Sequence, residues 1–467
     1  MYCRRILSGL ILLISLQASS ESRIVDNLSK AIRYQTISHQ NLNAIDYGAF
    51  LNFHQFLETA YPRVHSQLKK KVIADYSLVY IWQGNNSALS PILFDSHYDV
   101  VPIEPGTEGD WEYAPFAGIV ADGYLWGRGA LDDKASVIST LEAMEALLAE
   151  GYAPERTMVF SFGHDEEIGG RDGAANIAAY LKNQGLNFEY VVGEGGLVVH
   201  GHPMLPESPL AMIALAEKNY VTLTLKATGD GGHSSMPVKD NAIVNLSRAL
   251  TTLHENPFKA ELVQPVADML HVMGEHIGGI QGFMMRNQWL SKPVLLSVMS
   301  GDKTSQSMVR TTTAVTMINA GIKENVISQK AEAKVNFRLL PGTPVEQLIK
   351  DVEAMINDSS IEISAEDWKT SPPIADMNAP GYGQVKSAIN AVLPETVVVP
   401  GMLTATTDSP HYAPVSENIY RFHPFSVDME LTGSIHGTNE RISIESINTA
   451  LELSKSLIKT SGSPESL

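Results

Sequence analysis

The feature that most constrains this chain is a series of short apolar runs that each break off at polar or glycine-rich residues. "LVYIWQG" (78–84), "ILFDSH" (92–97), "TMVFSFG" (157–163) and "EYVVGEGG" (189–196) are long enough for one buried strand and too short for a helix. Between the second and third, residues 136–151 carry Val137, Leu141, Met144 and Leu148 at helical spacing, with Gly151 as a stop. Apolar spacing from Ile24 to about Tyr61 is also mostly helical. Buried strands alternating with amphipathic helices predict a three-layer α/β domain. In such folds ligands gather at the carboxyl ends of the strands.

The texture changes after Glu217. "YVTLTLKAT" (220–228) alternates with period two, a helix-like stretch follows from Asp240, "EAKVNFRLLP" (332–341) alternates again, "TPVEQLIKDVEAMI" (343–356) is helical, and "IEISAED" (361–367) alternates once more. That order predicts a compact α+β (ferredoxin-like) domain inserted into a discontinuous catalytic one. The expected boundaries are 21–216 and 369–467 for the catalytic domain and 217–368 for the insertion. Residues 256–312 add Met-rich helical material, read as core packing before ligand pocket.

The N-terminus reads differently. Arg4 and Arg5 precede an apolar run, Ile6 to Leu16, followed by "QASSES". This is the order of a cleavable signal peptide over residues 1–20, and the run is too short to span a bilayer; an uncleaved tether is the other reading. Cys3 is the only cysteine and leaves with the signal. A mature exported chain without disulfides must be held by core burial or by metal. Lys+Arg 34 against Asp+Glu 52, a net charge of −18, argues against nucleic acid or an anionic membrane surface as the main partner.

The first apolar run that ends in chemistry is "PILFDSHYDVVP" (91–102), where His97 and Asp99 stand two apart. Five further clusters join them: "GRGALDDK" (127–134), "GHDEEIGG" (163–170), "GEGG" (193–196), "GGHSS" (231–235) and "IHGTNE" (435–440). Each alone reads as a structural histidine or a solvated acidic turn. Together they offer the imidazole and carboxylate donors that zinc takes, and two neighbouring cations need a bridging carboxylate. Asp132, after a glycine-rich turn, suits that bridge, and the adjacent Glu166 and Glu167 suit a division of labour between proton transfer and metal binding. There is no GxSxG elbow, no HExxH, and "GRGALDD" is not a dinucleotide fingerprint.

These motifs, in this order, resemble the aminoacylase, carboxypeptidase S and glutamate carboxypeptidase family of two-zinc metallopeptidases. "INAGIKENVIS", "VNFRLLPG", "TDS" and "IYRFHPF…IHGTNE" resemble its carboxypeptidase S branch, which includes N-fatty-acyl-amino-acid synthase/hydrolases. The resemblance covers essentially the whole mature chain. It implies His97 and Glu194 on one zinc, Glu167 and His436 on the other, and Asp132 bridging both, with cobalt or manganese as substitutes. It implies Glu166 as general base, Asp99 as the carboxylate that orients His97, and a cis peptide between Asp132 and Asp133. In the insertion it implies His233 as an oxyanion-stabilising histidine contributed across a homodimer, and Arg338 with Asn325 gripping the substrate carboxylate and backbone. Ser328 stands where the family commonly has proline, and the Met-rich segment exceeds the minimal dimerisation domain. The implied substrate is a small peptide or an N-acyl amino acid, cleaved at the amide next to a free carboxylate; a non-catalytic metal-binding relative is the alternative of another class.

Overall fold

The computed structural model describes residues 23–366 and 373–463. The expected signal peptide with Cys3, the expected junction at 368/369 and the last residues of the "SGSPESL" tail lie outside them.

Two compact units divide the chain. The first comprises Met1–Leu215, Ala375–Val399 and Thr407–Leu467; the second comprises Ala216–Ile374 and Pro400–Thr406. In the first, strands Met158–Gly163, Ile92–His97, Val191–Gly193 and Ile419–Arg421 lie side by side and parallel. Ser77–Trp82 and Lys69–Ile73 extend this sheet antiparallel at one edge.

Residues along these strands alternate between two buried faces. Leu78, Tyr80, Ile92, Phe160 and Val192 pack among helices Lys134–Ala149, Pro380–Val392 and Ile444–Ser461. Val79, Leu93, Val159, Val191 and Ile419 pack against helix Ala174–Asn183. Both faces are covered, so the strands read as unbroken apolar runs. The result is the three-layer α/β arrangement that the sequence predicts. Helix Lys134–Ala149 starts two residues before the predicted stretch, directly after the "LDD" turn, and ends at Ala149. The N-terminal helical region is two helices, 23–32 and Tyr47–Ala60, separated by an irregular segment.

The second unit has an antiparallel sheet in the order Thr312–Ala320, Lys330–Leu339, Asn219–Thr228, Ile361–Glu366. Helices Ala242–Glu255 and Val345–Ile356 supply Leu246, Ala249, Leu348 and Val352 to its core. The Met-rich segment folds as helices Gln264–His276, Gly279–Arg286, Gln288–Met299 and Lys303–Val309, with Met273, Met285 and Met299 buried. Among the described residues no helix is long and apolar enough to cross a membrane.

Candidate metal centre

The carboxyl ends of the parallel strands converge. Strand Ile92–His97 ends in His97, Met158–Gly163 leads into Glu166 and Glu167, Val191–Gly193 into Glu194, and Ile419–Arg421 into His423. Asp132 comes from the turn before helix Lys134–Ala149, and His436 from the loop before strand Arg441–Ser443. The Asp132–Asp133 peptide is cis, as the resemblance implies.

His97 is 1% exposed. Its Nδ1 lies 3.1 Å from the Asp99 carbonyl oxygen, which can only accept, so Nδ1 carries the proton. Nε2 is then the ring nitrogen turned toward the carboxylates and the one open to a metal. It faces Asp132 Oδ1 at 3.1 Å and Glu194 Oε2 at 3.3 Å. The other oxygen of Asp132 is 3.0 Å from His436 Nε2, which also lies 3.2 Å from Glu167 Oε2. His97, Asp132 and Glu194 therefore make one three-donor group, and Asp132, Glu167 and His436 a second.

The role of Asp99 is broader than orienting His97. Its Oδ1 is 3.3 Å from His97 Nδ1, but the ring's hydrogen-bond acceptor is the backbone carbonyl of the same residue. The carboxylate accepts the backbone N–H groups of Glu166 and Glu167, each at 3.1 Å, and the Ser38 hydroxyl at 2.7 Å. It thus fixes the turn that presents both glutamates. Gly170 closes that turn at φ +63°, where a Cβ would lie 1.8 Å from Asp408 Oδ1. Only glycine fits there.

Electrostatics bear out the crowding. Burial, then the nearby charges of Glu194 and Asp408, push Glu166 well above the usual carboxylate range. Burial and the Asp132 charge push Glu167 up to about 7. Hydrogen bonds to Asp132 and Glu167 raise His436 to about 10. Asp132 is held low by His436 and His97 against its own desolvation. Glu167 Oε1 is buried without a hydrogen-bond partner. Buried carboxylates converging on two imidazole nitrogens, with an orphaned oxygen among them, fit cation ligation.

The three residues expected in the insertion lie in the second unit. His233 is exposed in the two-residue strand Gly232–His233, which pairs with Val326–Ile327, next to Asn325. The Asn325 carbonyl accepts the Ser234 N–H at 3.2 Å, and the Ser235 N–H donates to His233 Nδ1 at 3.2 Å. Arg338 lies on strand Lys330–Leu339, its guanidinium 4.6 Å from the centre of the Tyr220 ring and donating to Thr406 Oγ1 at 3.0 Å.

Four residues of the centre were missed by sequence reasoning. Asp133 Oδ2 accepts the His97 N–H at 3.2 Å, and His423 Nε2 lies 3.1 Å from Asp133 Oδ1. Lys134 is fully buried, donating to the carbonyls of Ala31 and Tyr34, and burial pulls it down to about 7. Glu440 accepts from Arg128 and from the N–H groups of Leu131 and Asp132. His423 carried a readable signal, since it follows the buried run "IYRF" much as His97 follows "ILFDS".

The profile of "Peptidase family M20/M25/M40" matches residues 93–460, and the chain belongs to that family of peptide-bond hydrolases. Within it, the chain is 37% identical over 446 residues to the probable carboxypeptidase S-like 2 of Dictyostelium discoideum, covering 94% of this chain and 85% of that one. It is 35% identical to the mouse N-fatty-acyl-amino acid synthase/hydrolase PM20D1, covering 92% of this chain and 86% of that one. Among solved structures, an M20 family metallo-carboxypeptidase from Sulfolobus solfataricus superposes with a TM-score of 0.69 at 17% identity, covering 94% of this chain and 99% of that one. Human carnosine dipeptidase 1 does so at 0.67 and 15% identity, covering 97% and 98%. At those identities the likeness is one of fold.

Proposed function

We propose that this protein is a metallo-carboxypeptidase that hydrolyses the amide bond preceding a C-terminal amino acid, using two zinc ions. The observation that carries the reading is Asp132, whose two oxygens each face the Nε2 of a different histidine, His97 and His436. One ion would be held by His97, Asp132 and Glu194, and the other by Asp132, Glu167 and His436. Bound there, the ions would supply Lewis acidity for the scissile carbonyl and make a water acidic near neutral pH.

The chain's own groups do the rest. Glu166 takes the water's proton and later delivers it to the leaving amine. His233 donates to the developing oxyanion. Arg338 holds the substrate carboxylate through its guanidinium fork, with Asn325 on the substrate backbone.

A second reading, hydrolysis or synthesis of N-fatty-acyl amino acids by the same centre, is favoured by a different observation. Helices Gly279–Arg286 and Gln288–Met299 leave Ile280, Phe283, Trp289, Leu290 and Val294 exposed. Such apolar surface suits an acyl substrate better than a dipeptide. The proposal also includes export through the N-terminal signal. Two copies would pair along the edge strand Thr312–Ala320, where Val315, Met317 and Ile318 are exposed.

The test is a comparison of kcat/KM on zinc-loaded protein with a long-chain N-acyl leucine and an Ala-Leu dipeptide, using Glu166→Gln as blank. Preference for the dipeptide supports the carboxypeptidase, and preference for the acyl substrate supports the second reading. Inactivity on both overturns the two together.

A further inference from the structure

Behind the two donor groups lies a third. Asp133 Oδ1, Glu194 Oε2 and His423 Nε2 come within coordination range of one another. Asp133 is 0% exposed, His423 8% and Glu194 9%. His423 Nε2 is 3.1 Å from Asp133 Oδ1 and 3.8 Å from Glu194 Oε2, separations that neighbouring ligands of one ion adopt when each sits at about 2 Å.

Two further observations point into this cluster. Asp133 Oδ1 and His423 Nε2 are both buried and face each other at 3.1 Å as an ion pair, and neither makes a hydrogen bond to any third group. Two buried polar atoms whose one polar partner is each other keep coordinating capacity that a cation between them would use. A cavity of about 30 Å³ also opens beside Glu194 and His423, with Ser96 and Ser136 among otherwise largely apolar walls. That is room for an ion's water ligands, since a water needs about 10–15 Å³. The Ser136 Oγ on its wall is likewise without a hydrogen-bond partner.

Charge points the same way. Asp133 and Glu194 are two buried carboxylates facing one imidazole, an excess of negative charge that a bound cation would offset. The ring of His423 is stacked on Phe425, with centroids 5.2 Å apart and planes inclined by 18°, so its Nε2 is held toward the carboxylates.

We infer that Asp133, Glu194 and His423 form a third cation site, for a divalent transition metal of the zinc or manganese kind, sharing Glu194 with the two-ion centre. One nitrogen and two oxygen donors beside a water-sized cavity suit such an ion better than calcium, which takes six or more oxygens. The inference rests on the two-ion reading for its neighbour but not for its own donors.

The experiment is metal content per chain by mass spectrometry after zinc loading and gel filtration, with Co²⁺ titration followed by visible absorbance as a second readout. The wild type and the His423→Gln and His423→Phe variants are compared, with circular dichroism confirming that each is folded. The expected result is three ions in the wild type, two in each variant, and loss of one Co²⁺ phase. Two ions in all three proteins overturn the third site and leave the two-ion centre standing. Two in the wild type and one in the variants overturn it by making His423 a ligand of that centre. No bound ion in the wild type overturns the two-ion reading and this site together.

Discussion

Arg128 and Glu440, 312 positions apart in the chain, form a buried ion pair of 2.6 Å. Arg128 also donates to the His436 carbonyl at 3.0 Å, while Glu440 accepts the N–H groups of Leu131 at 2.8 Å and Asp132 at 3.2 Å. One pair therefore ties the turn that carries Asp132 to the loop that carries His436. That loop needs support, because His436 sits at φ +59°, a conformation unfavourable for a residue with a side chain.

Removing one partner of this pair leaves the other buried and uncompensated. Glu440→Ala is expected to lower unfolding free energy by about 3–5 kcal/mol and to weaken cation retention. Denaturant unfolding and competition with a chelator measure the two effects. Unchanged values in both would show that Arg128 and Glu440 do not organise the centre.

Glu166→Gln keeps the size of the side chain and removes its base. Turnover is expected to fall by about 10²–10⁴-fold, with metal content per chain unchanged, because Glu166 belongs to neither of the two donor groups proposed for the ions. Single-turnover rates alongside metal analysis decide it. Substantial residual hydrolysis would remove Glu166 from the mechanism.

His54 supplies a pH dependence away from the centre. It is buried, with Nε2 3.0 Å from the Tyr98 hydroxyl, and burial, with Lys70 nearby, lowers its pKa from 6.5 to about 4. A histidine whose folded value lies below its unfolded one contributes its full stability above pH 6.5 and loses it as the pH falls toward 4. The loss should reach about 3 kcal/mol at about 1.4 kcal/mol per unit. Urea unfolding from pH 7 to 4 should show a steeper decline for the wild type than for His54→Gln, and parallel curves would refute the assignment.

Arg338→Lys replaces a planar fork with a point charge. With substrates bearing a free carboxylate, KM is expected to rise about 10- to 150-fold, the equivalent of about 1.5–3 kcal/mol for a hydrogen bond to a charged group. With the same substrates as C-terminal amides, the two proteins should differ little. An equal effect on both would make Arg338 a structural residue, packed on Tyr220.

Legibility in the sequence followed the range of the interaction. The buried strands could be read because both faces of the sheet are covered, so Leu93 and Phe94 alike must be apolar. The donors His97, Asp132, Glu167, Glu194 and His436 could be nominated because each sits in a glycine-rich or strand-end motif of recognisable order. Their partners could not. Glu440 looks like one more surface glutamate in "GTNE" until folding sets it beside Arg128, and Lys134 looks like a helix-start lysine until helix 23–32 and the residues after it cover it. Asp99 was read as a partner of the nearby His97, which its carboxylate faces at 3.3 Å, but its further bonds to the N–H groups of Glu166 and Glu167, which arrive from the neighbouring strand, could not be read.

By itself, then, the sequence determined which segments become strands and helices, which residues could offer metal donors, and that the chain is acidic and interrupted by a second domain. Those properties are local: periodicity, turn residues and donor type are fixed by neighbours a few positions away. Only the tertiary structure decided that Asp132 offers one oxygen to each of two histidines, that Asp99 builds the glutamate turn, and that His423 and Asp133 face each other at 3.1 Å. Those facts depend on distances of about 3 Å between residues far apart in the chain. Such distances are set by how the strands line up and how the helices pack over them, which no local pattern records.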